Sequence, residues 1–291
     1  MKKILLILPI FLAINAREKD IDPYVAINRI HPGQIRYSQA NVDQKINTAI
    51  KKGYATRECK TNLQSKECIL KFDNGRSIMS SSPELPVIKV PAALDNVFGN
   101  KNFILIDGHH DVKASLTLGA KTVPIKVKED LGGSTMSEQE FWNYLESKGY
   151  TYPFNLEGGQ RANIPSDFNV LQDDTNRYFA AITARKYEGW DTKPEESTYT
   201  SPVFKPEYPL WVKVGKDIPF IEFMISDKLN DHNKRHADKF IFSSEMENNP
   251  TKMQQLIEKA RIILKENPIK GLKLIPEKTF YKDINLNEFR K

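Results

Sequence analysis

The stretch Asn102–Lys128, NFILIDGHHDVKASLTLGAKTVPIKVK, decides the fold. Phe103, Ile104, Leu105 and Ile106 form an apolar run that predicts a short buried strand. Asp107-Gly108 breaks it. From His109 the spacing turns helical, with Val112, Leu116 and Gly119 recurring on one side, and Gly119 stands where a C-terminal glycine belongs. Thr122 to Val127 then alternates as a strand does. The expectation is strand, tight turn, short helix, strand. The turn holds two adjacent histidines between two aspartates, the densest polar chemistry in the chain.

The physics of such a turn is simple. Asp107 is a good helix N-cap, and the first amides, around Gly108, His109 and His110, have no acceptor within the helix. A turn of this kind offers an anion site. His109 falls on the Val112–Leu116 face and is expected to be packed. His110 lies beside Ala114 and is the better candidate for exposure. The same residues also read as a plain cap with one histidine packed on the sheet, since fold alone does not give function.

Residues 107–119, DGHHDVKASLTLG, with ILI before them and TVPIKV after, resemble the ParB/sulfiredoxin superfamily. Its members carry a strand, a Gly-x-His-Arg-like turn and a helix ending near Leu-Gly. The chain is more closely similar to the divergent branch of ParB-like nucleases. Four further segments carry that resemblance in order: His31-Pro32-Gly33-Gln34; Phe141-Trp142; Asp173, Asp174, Arg177 and Tyr178; and Phe220-Ile221-Glu222-Phe223. The resemblance covers about residues 25 to 240 and implies an α+β fold, a small mixed sheet with a C-terminal helical extension. Read as a site, the turn and these segments offer Gln34, Gly108 and Arg177 as substrate-binding candidates, and Asp107, His109, His110, Asp111 and Glu222 as catalytic candidates; Arg177, with Arg185 and Lys186, reads as a basic lip or as a solvated helix face.

One departure matters. Phosphate-binding relatives usually place an arginine after the histidine of the turn, and here Asp111 stands there. A guanidinium that grips phosphate is replaced by a carboxylate that repels it. Asp107, His110 and Asp111 would instead suit a divalent metal ion.

The remaining chain is read around this centre. Residues 22–130 are expected to form the core, 131–270 a helical extension packed on it, and 271–291 a charged tail. Tyr24–Ile27 and Val87, Ile88 and Val90 read as strands, and Val42–Lys52 as a helix. Gln34 in the Pro32-Gly33 turn reads as a ligand contact or as a satisfier of loop backbone. Ser137 and Glu140 form a capping box, with Met136 and Phe141 as its hydrophobic staple. Helices are expected over Asp174–Tyr187, Pro219–Leu229 and Pro250–Asn267. Trp190–Pro219 reads as an ordered loop. Glu222, between Ile221 and Phe223, reads as a general base or as the partner of an arginine. His232 and His236 read mainly as a solvated face.

The first sixteen residues predict a secretory signal peptide: Lys2 and Lys3, an apolar run Ile4–Ala13, and a cleavage site at Ile14-Asn15-Ala16. The apolar run is too short to span a bilayer, and no membrane span is expected in the mature chain. Cleavage leaves 275 residues and lowers the net charge from +6 to +4, weak support for nucleic-acid binding. The protein is expected in the periplasm or outside the cell. There Cys59 and Cys68, the two cysteines, read as a disulfide worth roughly 2–3 kcal/mol. Residues 69–79 read as a hairpin turning at Asn74-Gly75.

Three functions remain open on the sequence. The first is an exported phosphodiester hydrolase of nuclease type, assisted by a divalent metal ion. The second is a nucleotide-binding phosphotransferase. The third is a non-catalytic binding module. The sequence does not name the substrate; a small-molecule or nucleic-acid phosphate is the class expected if the site is catalytic, and no partner protein is evident.

Overall fold

The structure, a computed structural model, describes residues 24–51, 55–61, 66–72, 84–156, 160–185, 210–213, 220–270 and 272–274. The expected signal peptide, the Asn74-Gly75 turn, most of the 190–219 loop and the end of the tail lie outside these residues.

The first part of the chain gives β1 (Tyr24–Ala26), β2 (Ile30–Pro32), β3 (Arg36–Tyr37), α1 (Gln39–Lys51), β4 (Ala55–Thr61) and β5 (Lys66–Phe72). Then come β6 (Leu85–Lys89), α2 (Asp95–Phe98), β7 (Phe103–Leu105), α3 (His109–Thr117) and β8 (Thr122–Asp130). A five-stranded sheet runs β1-β8-β6-β7-β2. Pairing is antiparallel for β1–β8 and β6–β7, and parallel for β6–β8 and β7–β2. This is the mixed α+β architecture expected. β7 and β8 are not neighbours, because β6 lies between them and α3 crosses from one side of it to the other.

β7 is buried throughout, as its unbroken apolar run requires. One face of the sheet, with Val87, Leu105, Val123 and Ile125, packs on Ile46 of α1 and Val112 of α3. On the other, Ile88 and Ile104 pack on Phe141 and Leu145 of α4 (Glu138–Ser147). That helix starts on the expected capping box between Ser137 and Glu140, and Met136 packs against the same cluster.

The C-terminal part contains β9 (Gln172–Asp173), α5 (Thr175–Ile182), β10 (Ala184–Arg185) and β11 (Trp211–Lys213), followed by α6 (Ile221–Arg235), α7 (Pro250–Glu266) and β12 (Leu272–Leu274). It has its own core around Phe179, Ile225, Phe240 and Ile257. It is not purely helical. β10, β11 and β12 form a small sheet, and β9 pairs with β3.

Helix boundaries differ from expectation: α6 runs on to Arg235, past the expected end at Leu229, and α5 ends early. α5 stops at Ile182 rather than Tyr187. The Thr183 carbonyl accepts the Leu210 amide at 2.8 Å, and Trp211 Nε1 donates to the Ala180 carbonyl at 2.9 Å, so the chain is captured by β11. β5 pairs with β4 and sets Cys59 directly opposite Cys68, while the rest of the hairpin expected over residues 69–79 lies outside the described residues.

Candidate functional site

The turn after β7 is built as expected, with one shift. Gly108, not Asp107, occupies the N-cap of α3, at φ +88°. A Cβ there would meet Leu85 Cδ2 at 2.4 Å, so position 108 needs glycine on two counts. Asp107 sits one residue further out, exposed, and its Oδ1 accepts the Gly108 amide at 2.7 Å. Gly119 closes the helix at φ +83°, as the sequence indicated.

Both imidazoles face inward. His109 is 2 % exposed and His110 only 8 %, which corrects the expectation that His110 is the exposed one. Pattern on α3 alone could not reveal this, because the cover comes from the β2–α1 segment. The Gly33 amide donates to His109 Nε2 at 2.9 Å, and the Ser38 amide donates to His110 Nε2 at 3.0 Å. A backbone N–H on Nε2 fixes the tautomer with its proton on Nδ1. Burial drives the His109 pKa down to about 3, helped by the Arg177 charge. Burial, then Arg177, then Lys45, drive His110 well below the usual histidine range. Both rings are therefore neutral at physiological pH. Gly33 is needed for this close fit, since a Cβ there would lie 2.2 Å from the Leu105 carbonyl oxygen.

The arginine missing from the turn's own sequence arrives from α5. Arg177 Nη1 lies 3.1 Å from His110 Nε2, and its guanidinium carbon lies 4.9 Å from the Phe223 ring centroid. The carboxylates of Glu222, Asp174 and Asp107 favour its charge against the opposing pull of burial. Asp174 positions it. As the N-cap of α5, Asp174 Oδ1 accepts the Arg177 amide at 3.0 Å and the Ser226 hydroxyl at 2.6 Å.

Beneath this lies Arg36, a fully buried side chain. Its Nη1 is 3.1 Å from Asp174 Oδ2 and 2.8 Å from Asp227 Oδ1. Its guanidinium sits against the Tyr152 and Phe223 rings, at 5.3 and 5.0 Å. Tyr152 donates its hydroxyl to Asp227 at 2.6 Å. Burial raises the Asp174 pKa, and the Arg36 charge works against that rise.

The other expected site residues divide. Asp111 is ion-paired with Lys45 of α1. Burial raises its pKa, and Lys45 pulls it back. Gln34 donates its amide to the Arg36 carbonyl at 2.7 Å, the loop-satisfying role. Glu222 stands in the first turn of α6, and its charge favours that of Arg177. Asp107, His110, Arg177 and Glu222 thus share one electrostatic neighbourhood at the start of α3. For a metal, the donor set is largely engaged: Asp111 with Lys45, and His110 Nε2 with Ser38 and Arg177. Among the described residues no three His, Cys, Asp or Glu side chains are arranged to hold an ion. His232 and His236 stack on each other at 4.3 Å on the exposed end of α6, away from this cluster.

Sequence reasoning missed Lys45, Ser38, Arg36, Tyr152 and Asp227. The available signal was Arg36 itself, an arginine inside the segment Ile35-Arg36-Tyr37. Burying it demands carboxylates.

Among solved structures, the chain is similar to the crystal structure of protein Atu1540 from Agrobacterium tumefaciens. Identity is 20 %, coverage is 81 % of this chain and 89 % of that one, and the TM-score is 0.47. No curated protein matches. The family model described as "Putative ParB-like nuclease" matches residues 24–200, more than half of the chain and the whole five-stranded sheet with the α3 turn and Arg177. The chain belongs to this family.

Proposed function

We propose that the chain is an exported, nuclease-like hydrolase that holds a phosphodiester between the N-terminus of α3 and Arg177. The observation that carries this reading is Arg177 seated on His110 at the helix start. It restores, from another part of the chain, the cation that Asp111 displaces from the turn. The open amides of α3 and the guanidinium would take the phosphate oxygens. Hydrolysis then needs a base to deprotonate the attacking water as its oxygen bonds to phosphorus and the ester oxygen leaves with a proton. His110 is unsuited, being neutral and engaged at Nε2. Asp107 and Glu222, the rim carboxylates, are the better candidates. They also leave the rim with excess negative charge, which a divalent ion would offset. Metal binding at Asp107, His110 and Asp111 would require Lys45 to release Asp111 and Ser38 to release His110.

The test is hydrolysis of bis(p-nitrophenyl) phosphate and of plasmid DNA, with and without chelator. Arg177→Ala is expected to lower turnover about 10²–10³-fold, the usual effect of losing one charge-stabilising donor. Loss of activity with chelator supports the metal-assisted form, and retention supports the arginine-and-amide form. A protein that neither cleaves nor binds a phosphodiester ends the proposal. Binding without turnover favours the second reading, a phosphate-binding module, which the locked imidazoles support. Export is tested together with the Cys59–Cys68 disulfide, which the facing backbone register favours. Intact mass of the exported protein is expected two hydrogens short and without Met1. Two free thiols would contradict it.

A further inference from the structure

The end of the sheet opposite the α3 turn carries an open cleft of about 740 Å³. It is lined by Asn28, Arg29, Asp95, Asn96, Asn100 and Asn102, with Gly99 among them. β2 and β7 run parallel. Arg29 precedes β2 and Asn102 precedes β7, whereas Gly33 and the α3 turn follow them. Three residues of strand, roughly 10 Å, therefore separate the two places.

Two features hold the shape of the cleft. Arg29 Nε and Nη2 both donate to Asn102 Oδ1, at 3.0 and 2.9 Å, and the Asn102 amide donates to the Arg29 carbonyl at 3.0 Å. On the other wall, α2 is anchored by Phe98, which is buried against His31, Phe141 and Trp142. Gly99 then bends the chain at φ +61° and ψ −129°, a conformation that favours glycine, and a Cβ there would meet nothing. The polar groups of the cleft are not engaged with the protein. Among the described residues the side chains of Asn28, Asp95, Asn96 and Asn100 make no hydrogen bond or ion pair, and all four residues are exposed. Asn102 keeps both Nδ2 hydrogens to offer.

We infer that this cleft is a binding site for a neutral oligosaccharide. Ordinary small-molecule sites are mainly apolar with a few polar groups. This one is the reverse, as a ligand covered in hydroxyls requires. Amides, a carboxylate and a guanidinium are planar forks, each able to engage two neighbouring hydroxyls at once. Other ligand classes fit less well. A phosphate needs an excess of positive charge, but Asp95 balances Arg29, and Lys101 directs its ammonium to the Asn28 and Ile30 carbonyls, at 3.3 and 3.4 Å. A nucleobase needs an aromatic face, and Phe98 is turned into the core. A divalent cation would meet the Arg29 charge. The site is separate from the α3 turn and stands whether or not that turn holds a phosphate.

The experiment screens the full chain on a printed glycan array and titrates it with chitohexaose, maltohexaose and cellohexaose, read by saturation-transfer NMR and calorimetry. At least one neutral glycan is expected to bind. The double substitution Asn96→Ala with Asn100→Ala removes two exposed amides that no protein group uses. It should weaken that binding about tenfold or more, with the Tm unchanged. Asn28→Ala, on the opposite wall, should weaken it as well, and decides the matter if the double variant does not fold. No binding to any glycan overturns the inference. Undiminished binding in the variants also overturns it, because the sugar then sits elsewhere. Displacement of the bound glycan by millimolar inorganic phosphate overturns the neutral assignment and makes the cleft an anion site.

Discussion

Arg36→Met is the substitution whose cost can be worked most directly from the structure. Methionine keeps much of the apolar stem but removes the guanidinium. Asp174, 1 % exposed, then loses the cation 3.1 Å from its Oδ2 and keeps the Arg177 amide and Ser226 hydroxyl on Oδ1. Asp227 is 20 % exposed and retains the Tyr152 hydroxyl, so water absorbs part of its loss. Removing one partner of a buried ion pair costs about 3–5 kcal/mol. With one carboxylate partly solvated, about 3 kcal/mol is expected. The unpaired Asp174 carboxyl will also titrate higher than in the native protein. A carboxylate whose folded pKa is raised takes up its proton more readily folded than unfolded. The deficit of the variant should therefore shrink as pH falls from 7 toward 5. Urea unfolding of both proteins at several pH values measures this. Adding Asp174→Asn and Asp227→Asn to Arg36→Met should recover part of the loss, because no buried charge then remains. A loss below about 1 kcal/mol, or one that does not change with pH, would refute the account of Arg36 as a buried counter-ion.

Gly33→Ala should destabilise by about 1–3 kcal/mol or more, from the 2.2 Å clash with the Leu105 carbonyl, read as a fall in urea midpoint. Acid should weaken the native fold below pH 6.5, the ordinary histidine value. His31, held near 4, and His109, held near 3, together with His110, stay neutral when folded and take up protons when unfolded. Each contributes up to about 1.4 kcal/mol of loss per pH unit. Asp111 and Asp174, raised by burial, oppose this at the acid end, and the loss is expected as pH falls from 6.5 toward 4. A flat urea midpoint across that window would contradict the buried neutral rings. Lys45→Met should free Asp111 and strengthen divalent-ion binding if the turn takes a metal, which calorimetry with Mg²⁺ or Mn²⁺ reads; no heat in either protein would sink the metal proposal.

What was legible in the sequence was what local periodicity and capping dictate. β7, α3 and β8 follow the runs read in Phe103–Ile106, His109–Gly119 and Thr122–Val127. The capping box at Ser137 and the apolar stripe of α7 appear where expected. Two of the errors share one cause, non-local capture. His110 was read from its own helix, yet Ser38 and Arg177, 72 and 67 positions away, bury it. α5 had helical spacing to Tyr187, but β11 draws the chain into a sheet. Asp107 lost the cap to Gly108 because the turn needs a left-handed residue.

The position of Arg177 explains why the α3 turn does not stand alone. Asp174 caps α5, pairs with Arg36 of β3, and accepts from Ser226 on α6. One carboxylate therefore ties the segment after the sheet's β2 to two helices of the second core. Arg177 follows Asp174 by less than one helical turn, so its guanidinium is held by both cores at once. Residues 24–130 alone would present the α3 amides flanked by Asp107 and Asp111, with Lys45 as the nearby cation. An anion entering that turn would meet carboxylates on both sides. The second core supplies the opposite charge, and with it the aromatic wall of Tyr152 and Phe223 against which Arg36 and Arg177 lie. The electrostatics of the site are thus a property of the contact between the two cores, which is why the sequence of the turn, read by itself, points to a metal ion instead of an arginine.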